Sequence, residues 1–412
     1  MYQRNLHHHI LTALGDTPVV LVNGPRQAGK STLVQALAAG RRGSIYLTLD
    51  DATVLSAVAH DPAGWVARTP GPLVIDEVQK VPELLPAIKI SVDRDRQPGR
   101  FLLTGSANIL LLPKISESLA GRMDVCTLWP LSQGELAATK ETFIDRLFNR
   151  ESFAPGTAAP MEPGLPSRLI MGGFHEALSR RDDARREAWF DAYLTTLLQR
   201  DVRDLANIEG LTMMPRLLML LASRLGGLLN INELTRTLGM PHSTLTRYLS
   251  LLELVFLVRC VPPWSVNLGK RLVKSPKIYL SDTGLAARLG GVTAERLERD
   301  PATLGPLLEN FVALELLKQT GWSRLRPSLH HYRTQAGVEV DFLLEAPGGR
   351  VVGIEVKSSS RVQDRDFDPL RSLARDLGDR FVGGFILHRG DQSISFGPGL
   401  TALPLQKLWE GT

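Results

Sequence analysis

The sequence predicts three successive parts: an α/β domain on a parallel sheet, a helical segment with a helix-turn-helix, and an α+β carboxy-terminal domain. Three observations lead there. From residue 17, short apolar runs alternate with helical patterns, as in a parallel sheet covered by helices. Near residue 240, two short helical patterns flank Gly239. Towards the end, two runs rich in Val, Ile, Leu and Phe flank Pro347, Gly348 and Gly349, the composition of a β-hairpin.

The elements follow in order. "PVVLVNG" reads as a strand, "KSTLVQALAAG" as a helix ending on Gly40, and "SIYLTLDD" as the second strand. "GPLVIDE" and "RFLLTGS" are further strands with the helical "ELLPAIKISVDRD" between them, giving an α/β domain over 1–150. "SFAPGTAAPMEPGLPSR" is too rich in Pro, Gly and Ala to propagate helix or sheet, so 151–168 reads as a linker. A helical block covers about 184–207. In the next helix Ile231, Leu234 and Leu238 share a face, and Leu245, Leu249 and Leu252 share a face of the one after. "VPPWSVNLGKRLVKSPKIYLSD" then reads as a wing, so 169–285 is expected to be a helical and winged-helix domain, and 300–412 the α+β unit.

The chain has 412 residues, long enough for several cores, and 43% hydrophobic with 22% charged residues is ordinary globular composition. A net charge of +5 permits nucleic-acid contact without implying it. Cys126 and Cys260 stand apart, with neither disulfide nor zinc spacing, which fits a reducing cytoplasm. The amino-terminal histidines read as exposed positions on a surface helix. The apolar run "LLMLLASRLGGLL" is broken by Arg224 and two glycines, so no membrane span is expected.

Gly24, Pro25, Arg26, Gln27, Ala28, Gly29, Lys30 and Ser31 fit G-x-x-x-x-G-K-[ST] between a strand and a helix, and Thr32 follows. Such a loop turns its N–H groups onto phosphates, brings Lys30 to the β/γ oxygens and offers Ser31 to Mg²⁺. ATP and Mg²⁺ are the expected cofactors. In "PLVIDEVQ" an apolar strand delivers Asp76 for the metal, and Glu77 to orient or deprotonate the attacking water. Thr104, Ser106 and Asn108 are candidate γ-phosphate sensors, and Arg122 a candidate stabiliser of transition-state charge, in its own subunit or across a homo-oligomer.

Together, "GPRQAGKST", "LVIDEVQKVP", "LLTGSAN" and "SLAGRMDVCTLWPLS" resemble the prokaryotic AAA-type ATPases that carry a carboxy-terminal DUF4143 domain. The resemblance covers nearly the whole chain. It implies an AAA-type P-loop core, a winged-helix segment and a restriction-endonuclease-like terminal fold.

A winged helix would present His242, Ser243, Thr244, Thr246 and Arg247 to DNA, with Lys270, Arg271, Lys274 and Lys277 of the wing on phosphates. The alternative is packing against the nucleotide domain or a protein. In the hairpin, pairing Glu345 with Val351 would set Asp341 opposite Glu355, with Lys357 on the same face. Glu309 lies on an apolar helical stripe and needs a partner, of which a metal is one. Glu309, Asp341, Glu355 and Lys357 resemble the active site of the PD-(D/E)xK nuclease superfamily, and a hairpin with solvated charges fits the same spacing.

The leading expectation is an ATPase coupling nucleotide state to DNA binding, with metal-dependent cleavage a further option. The alternative is a STAND-like or toxin-associated nucleotide switch whose carboxy-terminal fold binds a protein partner and does not cleave. A small-molecule kinase is disfavoured by Glu77 and by the appended domains.

Overall fold

The computed structural model describes residues 2–106, 119–151, 153, 158, 161–202, 211–265 and 275–410. Two units divide the chain: Met1–Leu131 with Leu251–Leu257, and Ser132–Ser250 with Val258–Thr412.

The first unit holds five strands, β1 (Val19–Asn23), β2 (Ile45–Thr48), β3 (Leu73–Asp76), β4 (Phe101–Gly105) and β5 (Met123–Thr127), all parallel and ordered β2-β3-β4-β1-β5. β1, β3 and β4 are continuous apolar runs because helices cover both faces of a parallel sheet, and every residue in them is buried. Helices α1 (Leu6–Asp16), α2 (Lys30–Ala39) and α3 (Leu84–Arg94) turn Leu6, Ile10, Leu33, Leu37, Leu84 and Ile88 inward. His8 is exposed on α1, while His7 and His9 are half-buried.

In the second unit, α4 (Asp183–Thr196), α5 (Met214–Ala222), α6 (Ile231–Leu238) and α7 (His242–Leu254), whose last turn from Leu251 counts with the first unit, precede an antiparallel pair, β6 (Val258–Val261) and β7 (Lys277–Leu280). Gly239 ends α6 at φ 64°, a left-handed conformation that glycine adopts without penalty. Helices α8 (Thr283–Gly290) and α9 (Pro301–Trp322) lead to a six-stranded mixed sheet of β8 (Ser328–Arg333), β9 (Glu339–Glu345), β10 (Val351–Lys357), β11 (Phe381–His388), β12 (Ile394–Ser395) and β13 (Leu400–Pro404). Its order is β12-β13-β11-β10-β9-β8. Helix α10 (Asp368–Leu377) packs on this sheet, and Leu370 and Leu373 join Val340, Leu343, Val351 and Ile386 in the core.

Two boundaries differ from expectation. Residues 132–148 belong to the second unit, because Gln133 N–H donates to Glu315 at 2.9 Å and Ser323 donates to Asp145 at 2.6 Å. Within the expected linker, Pro166 occupies the first turn of a helix over Leu165–Met171, where its missing N–H costs nothing. Cys126 and Cys260 form no disulfide and are buried and half-buried. Among the described residues no helix is long and apolar enough to cross a membrane.

Candidate functional site

The loop after β1 is shaped by its glycines. Gly24 has φ 140°, and a β-carbon there would stand 2.1 Å from the Leu128 carbonyl oxygen, so only glycine fits. Gly29, at φ 92°, turns the chain into α2 at Lys30. The buried Lys30 Nζ donates to the carbonyls of Gly24 and Pro25, each at 2.9 Å, which holds the ammonium inside the curl of the loop. Ser31 and Thr32 sit in the first turn of α2, where free N–H groups and the helix dipole favour an anion.

The strand order decides what faces this loop. β4 lies between β1 and β3, pairing Asn23 with Gly105 on one side and Ile75 with Leu103 on the other. The carboxyl ends of β1 and β3 are therefore two strand spacings apart, roughly 10 Å. Into that gap β4 presents Thr104. Its buried hydroxyl donates to Asp76 Oδ1 and accepts the Glu77 N–H at 2.9 Å.

Glu77 has φ 61° and ψ 46°, a left-handed conformation that costs a non-glycine residue about 1–3 kcal/mol. The Thr104 contact holds that turn. Gln79 donates to the Glu77 carboxylate and, at 2.9 Å, to the Ser106 hydroxyl. Asn108 lies outside the described residues.

Three contributors went unnoticed in the sequence. Tyr46 donates to Asp76 Oδ2 at 2.9 Å, and burial pushes its own pKa up to about 12. Arg4 donates to the carbonyls of Ala28 at 2.7 Å and Trp129 at 2.6 Å, clamping the loop from α1's leading segment. Gln79 is the third. Tyr46 and Arg4 belong to no spaced motif, and only the fold brings them here; Gln79 stands two residues after Glu77 within "LVIDEVQKVP", where spacing alone assigns it no role. Asp50 pairs with Lys80 at 2.5 Å. Asp51 caps the following helix by accepting from Thr53 and Val54, backbone bonds that hold its pKa below the ordinary range.

Arg122 departs from expectation. It immediately precedes β5, whose Met123 pairs with Val19 at the start of β1, so it lies at the opposite edge of the sheet from the loop after Asn23. Its Nε donates to Asp93 at 2.5 Å. That placement excludes contact with a nucleotide held by its own loop. An arginine there can meet one only across a subunit boundary.

In the second unit, β9 and β10 have the expected register, with Glu345 opposite Val351 and Phe342 opposite Ile354. Asp341 Oδ2 accepts the Val356 N–H at 3.0 Å. Glu309, Asp341 and Glu355 do converge, and the cation among them is Lys277. Its Nζ lies 2.9 Å from Glu309, 2.8 Å from Glu339 and 3.3 Å from Asp341.

This corrects two expectations. Lys277 is buried on β7, so it cannot serve as an exposed wing cation on DNA. The partners of Glu309 are Lys277 at 2.9 Å and the Tyr279 hydroxyl at 2.7 Å, where the sequence left a metal as one option. Among the described residues no group of three or more His, Cys, Asp or Glu side chains is arranged to hold a metal ion. Lys357 also acts on Glu355, favouring its charged form, while its Nζ lies 3.9 Å from Asp366.

On α7, His242, Ser243, Thr246 and Arg247 are exposed and Thr244 is half-buried, whereas Leu245, Tyr248 and Leu249 face inward. Lys270, Arg271 and Lys274 lie outside the described residues.

Residues 16–137 match a family described as AAA domain, residues 304–408 the domain of unknown function DUF4143, and residues 162–296 the domain of unknown function DUF8612. An uncharacterized protein of Mycobacterium tuberculosis is 35% identical over 365 residues, 87% of this chain and 74% of the relative. An uncharacterized protein of Haemophilus influenzae is 25% identical over 261 residues, 60% of this chain and 57% of the relative. Among solved structures, a Walker-type ATPase of Pyrococcus abyssi superposes with a TM-score of 0.43 at 14% identity, over 70% of this chain and 96% of that one.

Proposed function

The chain belongs to the family of AAA-domain proteins with a carboxy-terminal DUF4143 domain that includes its Mycobacterium tuberculosis relative, and from there we propose how its residues hydrolyse ATP and what the nucleotide state serves. It is an ATPase. The loop Gly24–Ser31 and the first turn of α2 receive the phosphates, with backbone N–H groups and the Lys30 ammonium carrying the negative charge. Ser31 and Asp76 are hard oxygen donors suited to Mg²⁺. Tyr46 and Thr104 each use one lone pair of the Asp76 carboxylate and leave acceptor capacity on both oxygens. When bound, the ion neutralises charge on the transferring phosphoryl group.

Glu77 orients the attacking water and takes its proton. Gln79, which also donates to Ser106, steadies its carboxylate. What carries this reading is the paired contact of Thr104 with the Asp76 carboxylate and the Glu77 backbone, which holds the acidic pair at the end of β3, two strands from the Lys30 loop. The test is ATP binding and turnover of Lys30→Ala and Glu77→Gln. Lys30→Ala loses binding, and Glu77→Gln binds but turns over about 10²–10⁴-fold more slowly. Turnover that survives Lys30→Ala sinks the assignment.

The nucleotide state serves duplex DNA binding through the exposed face of α7. His242, Ser243, Thr246 and Arg247 line that face beyond a tight turn at Gly239, the arrangement of a helix that enters the major groove. Fluorescence anisotropy with duplex DNA tests it. Affinity falls steeply between about 50 and 200 mM salt and drops in Arg247→Ala. Binding indifferent to salt and to Arg247→Ala overturns the DNA reading.

A further inference from the structure

A carboxylate cluster in the second unit holds one ammonium in its midst, with Lys357 acting on Glu355 from its margin. Glu309 comes from α9, Glu339 and Asp341 from β9, and Glu355 from β10, while Lys277 enters from β7. The Lys277 side chain is 3% exposed and reaches Glu309, Glu339 and Asp341 at hydrogen-bond distances. An ammonium has three protons to donate, and these three acceptors use them all.

We propose that the Lys277 ammonium is the resident counter-ion of this cluster, standing where Glu309, Asp341 and Glu355 would otherwise converge on a divalent cation, so that the DUF4143 unit does not cleave phosphodiesters by metal chemistry. Two features oppose a divalent ion at the position that Lys277 holds. A metal among these oxygens would sit beside a fixed positive charge, and like charges a few ångströms apart repel strongly away from water. The acceptors are also spaced for N–H donors, at 2.8–3.3 Å from Nζ, where Mg²⁺ requires oxygens at about 2.1 Å.

Lys277 is anchored and not poised to leave. Leu280 N–H donates to Asn310 Oδ1 at 2.8 Å and Asn310 returns a bond to the Leu280 carbonyl at 3.0 Å, with Asn310 fully buried. Ile278 exchanges backbone bonds with Gly226 and Gly227 at 3.0 and 3.2 Å. Gly226, at φ 70°, lies against the Glu309 carboxylate so closely that a β-carbon would stand 2.8 Å away. Withdrawing β7 would break all of these.

Lys277 alone does not balance every acid; Lys357 favours the charge on Glu355, while burial works against it. Burial, then Asp341, raises the pKa of Glu355 well above the ordinary carboxylate range. Burial and Asp341 likewise raise Glu309 to about 7 against the pull of Lys277. Burial works against the charge on Lys277, but Asp341 and Glu309 outweigh it and raise its pKa.

The test uses the full chain without nucleotide and Mn²⁺ as probe, with free Mn²⁺ counted by electron paramagnetic resonance. Wild type and Asp341→Asn are expected to take up equal Mn²⁺. Lys277→Met gains one Mn²⁺ per chain, and Lys277→Met with Asp341→Asn loses it again. Mn²⁺ uptake by wild type that Asp341→Asn removes overturns the proposal. So does Mn²⁺-dependent nicking of plasmid DNA that Asp341→Asn abolishes, or a Lys277→Met chain with wild-type circular dichroism and no added Mn²⁺. If Lys277→Met does not fold, equal uptake by wild type and Asp341→Asn supports the proposal and unequal uptake overturns it. ATP turnover is not part of any arm, so failure of the ATPase assignment leaves this result readable.

Discussion

The Thr104 hydroxyl donates to the Asp76 carboxylate while accepting the Glu77 N–H at 2.9 Å, so one side chain on β4 holds both the acid that ends β3 and the backbone turn of the acid after it. Thr104→Val keeps the shape and removes both bonds, leaving the half-buried Glu77 N–H without this acceptor at a cost of about 1 kcal/mol. ATP binding is expected to persist while kcat falls about 10²-fold, the range for loss of one positioned catalytic group. Binding and single-turnover measurements check it, and an unchanged kcat would remove Thr104 from the argument.

Gly24→Ala tests the loop's shape. Its methyl group would collide with the Leu128 carbonyl, so the loop must open and nucleotide affinity falls sharply while the apo protein stays folded. Equilibrium titration with a fluorescent ATP analogue reads the loss.

Arg122→Ala leaves the turnover of dilute protein unchanged, because Arg122 lies at the far edge of the sheet and pairs with Asp93. The pair is partly exposed, so stability drops by about 0–1 kcal/mol. A fall in kcat that grows with protein concentration would assign the arginine to a neighbour's nucleotide.

Stability should decline on mild alkalinisation. Burial, then Glu315, raises Glu141 from an ordinary 4.5 to about 8, and Glu309 rises to about 7. Both bind more protons folded than unfolded across that range, so their contribution is complete below pH 4.5 and is lost as pH climbs through the raised values. Burial lowers His331 to about 4, which opposes them only below its ordinary 6.5. Between pH 6.5 and 8 the melting temperature of the second unit therefore falls, and Glu141→Gln flattens the slope. A rising profile would contradict the burial argument.

The sequence by itself determined the local matters: which runs are strands, where the phosphate loop and the acidic pair lie, and how β9 pairs with β10. These are legible because strand period, turn glycines and motif spacing act between residues close along the chain. Gly24, Lys30, Asp76 and the Glu345–Val351 register all belong to that class. Only the tertiary structure decided the company each residue keeps. Tyr46 and Thr104 meet Asp76 because strand order, not sequence order, makes β2, β3 and β4 neighbours. Arg122 is removed from the loop by the same rule. Lys277 reads in sequence as one more exposed cation of a wing, and β7 buries it among acids that follow it by 32 or more positions. The sign of a charge is written in the chain, but its burial and its partner are set by distant elements packing together, and burial decides whether that charge meets DNA, a metal or a carboxylate.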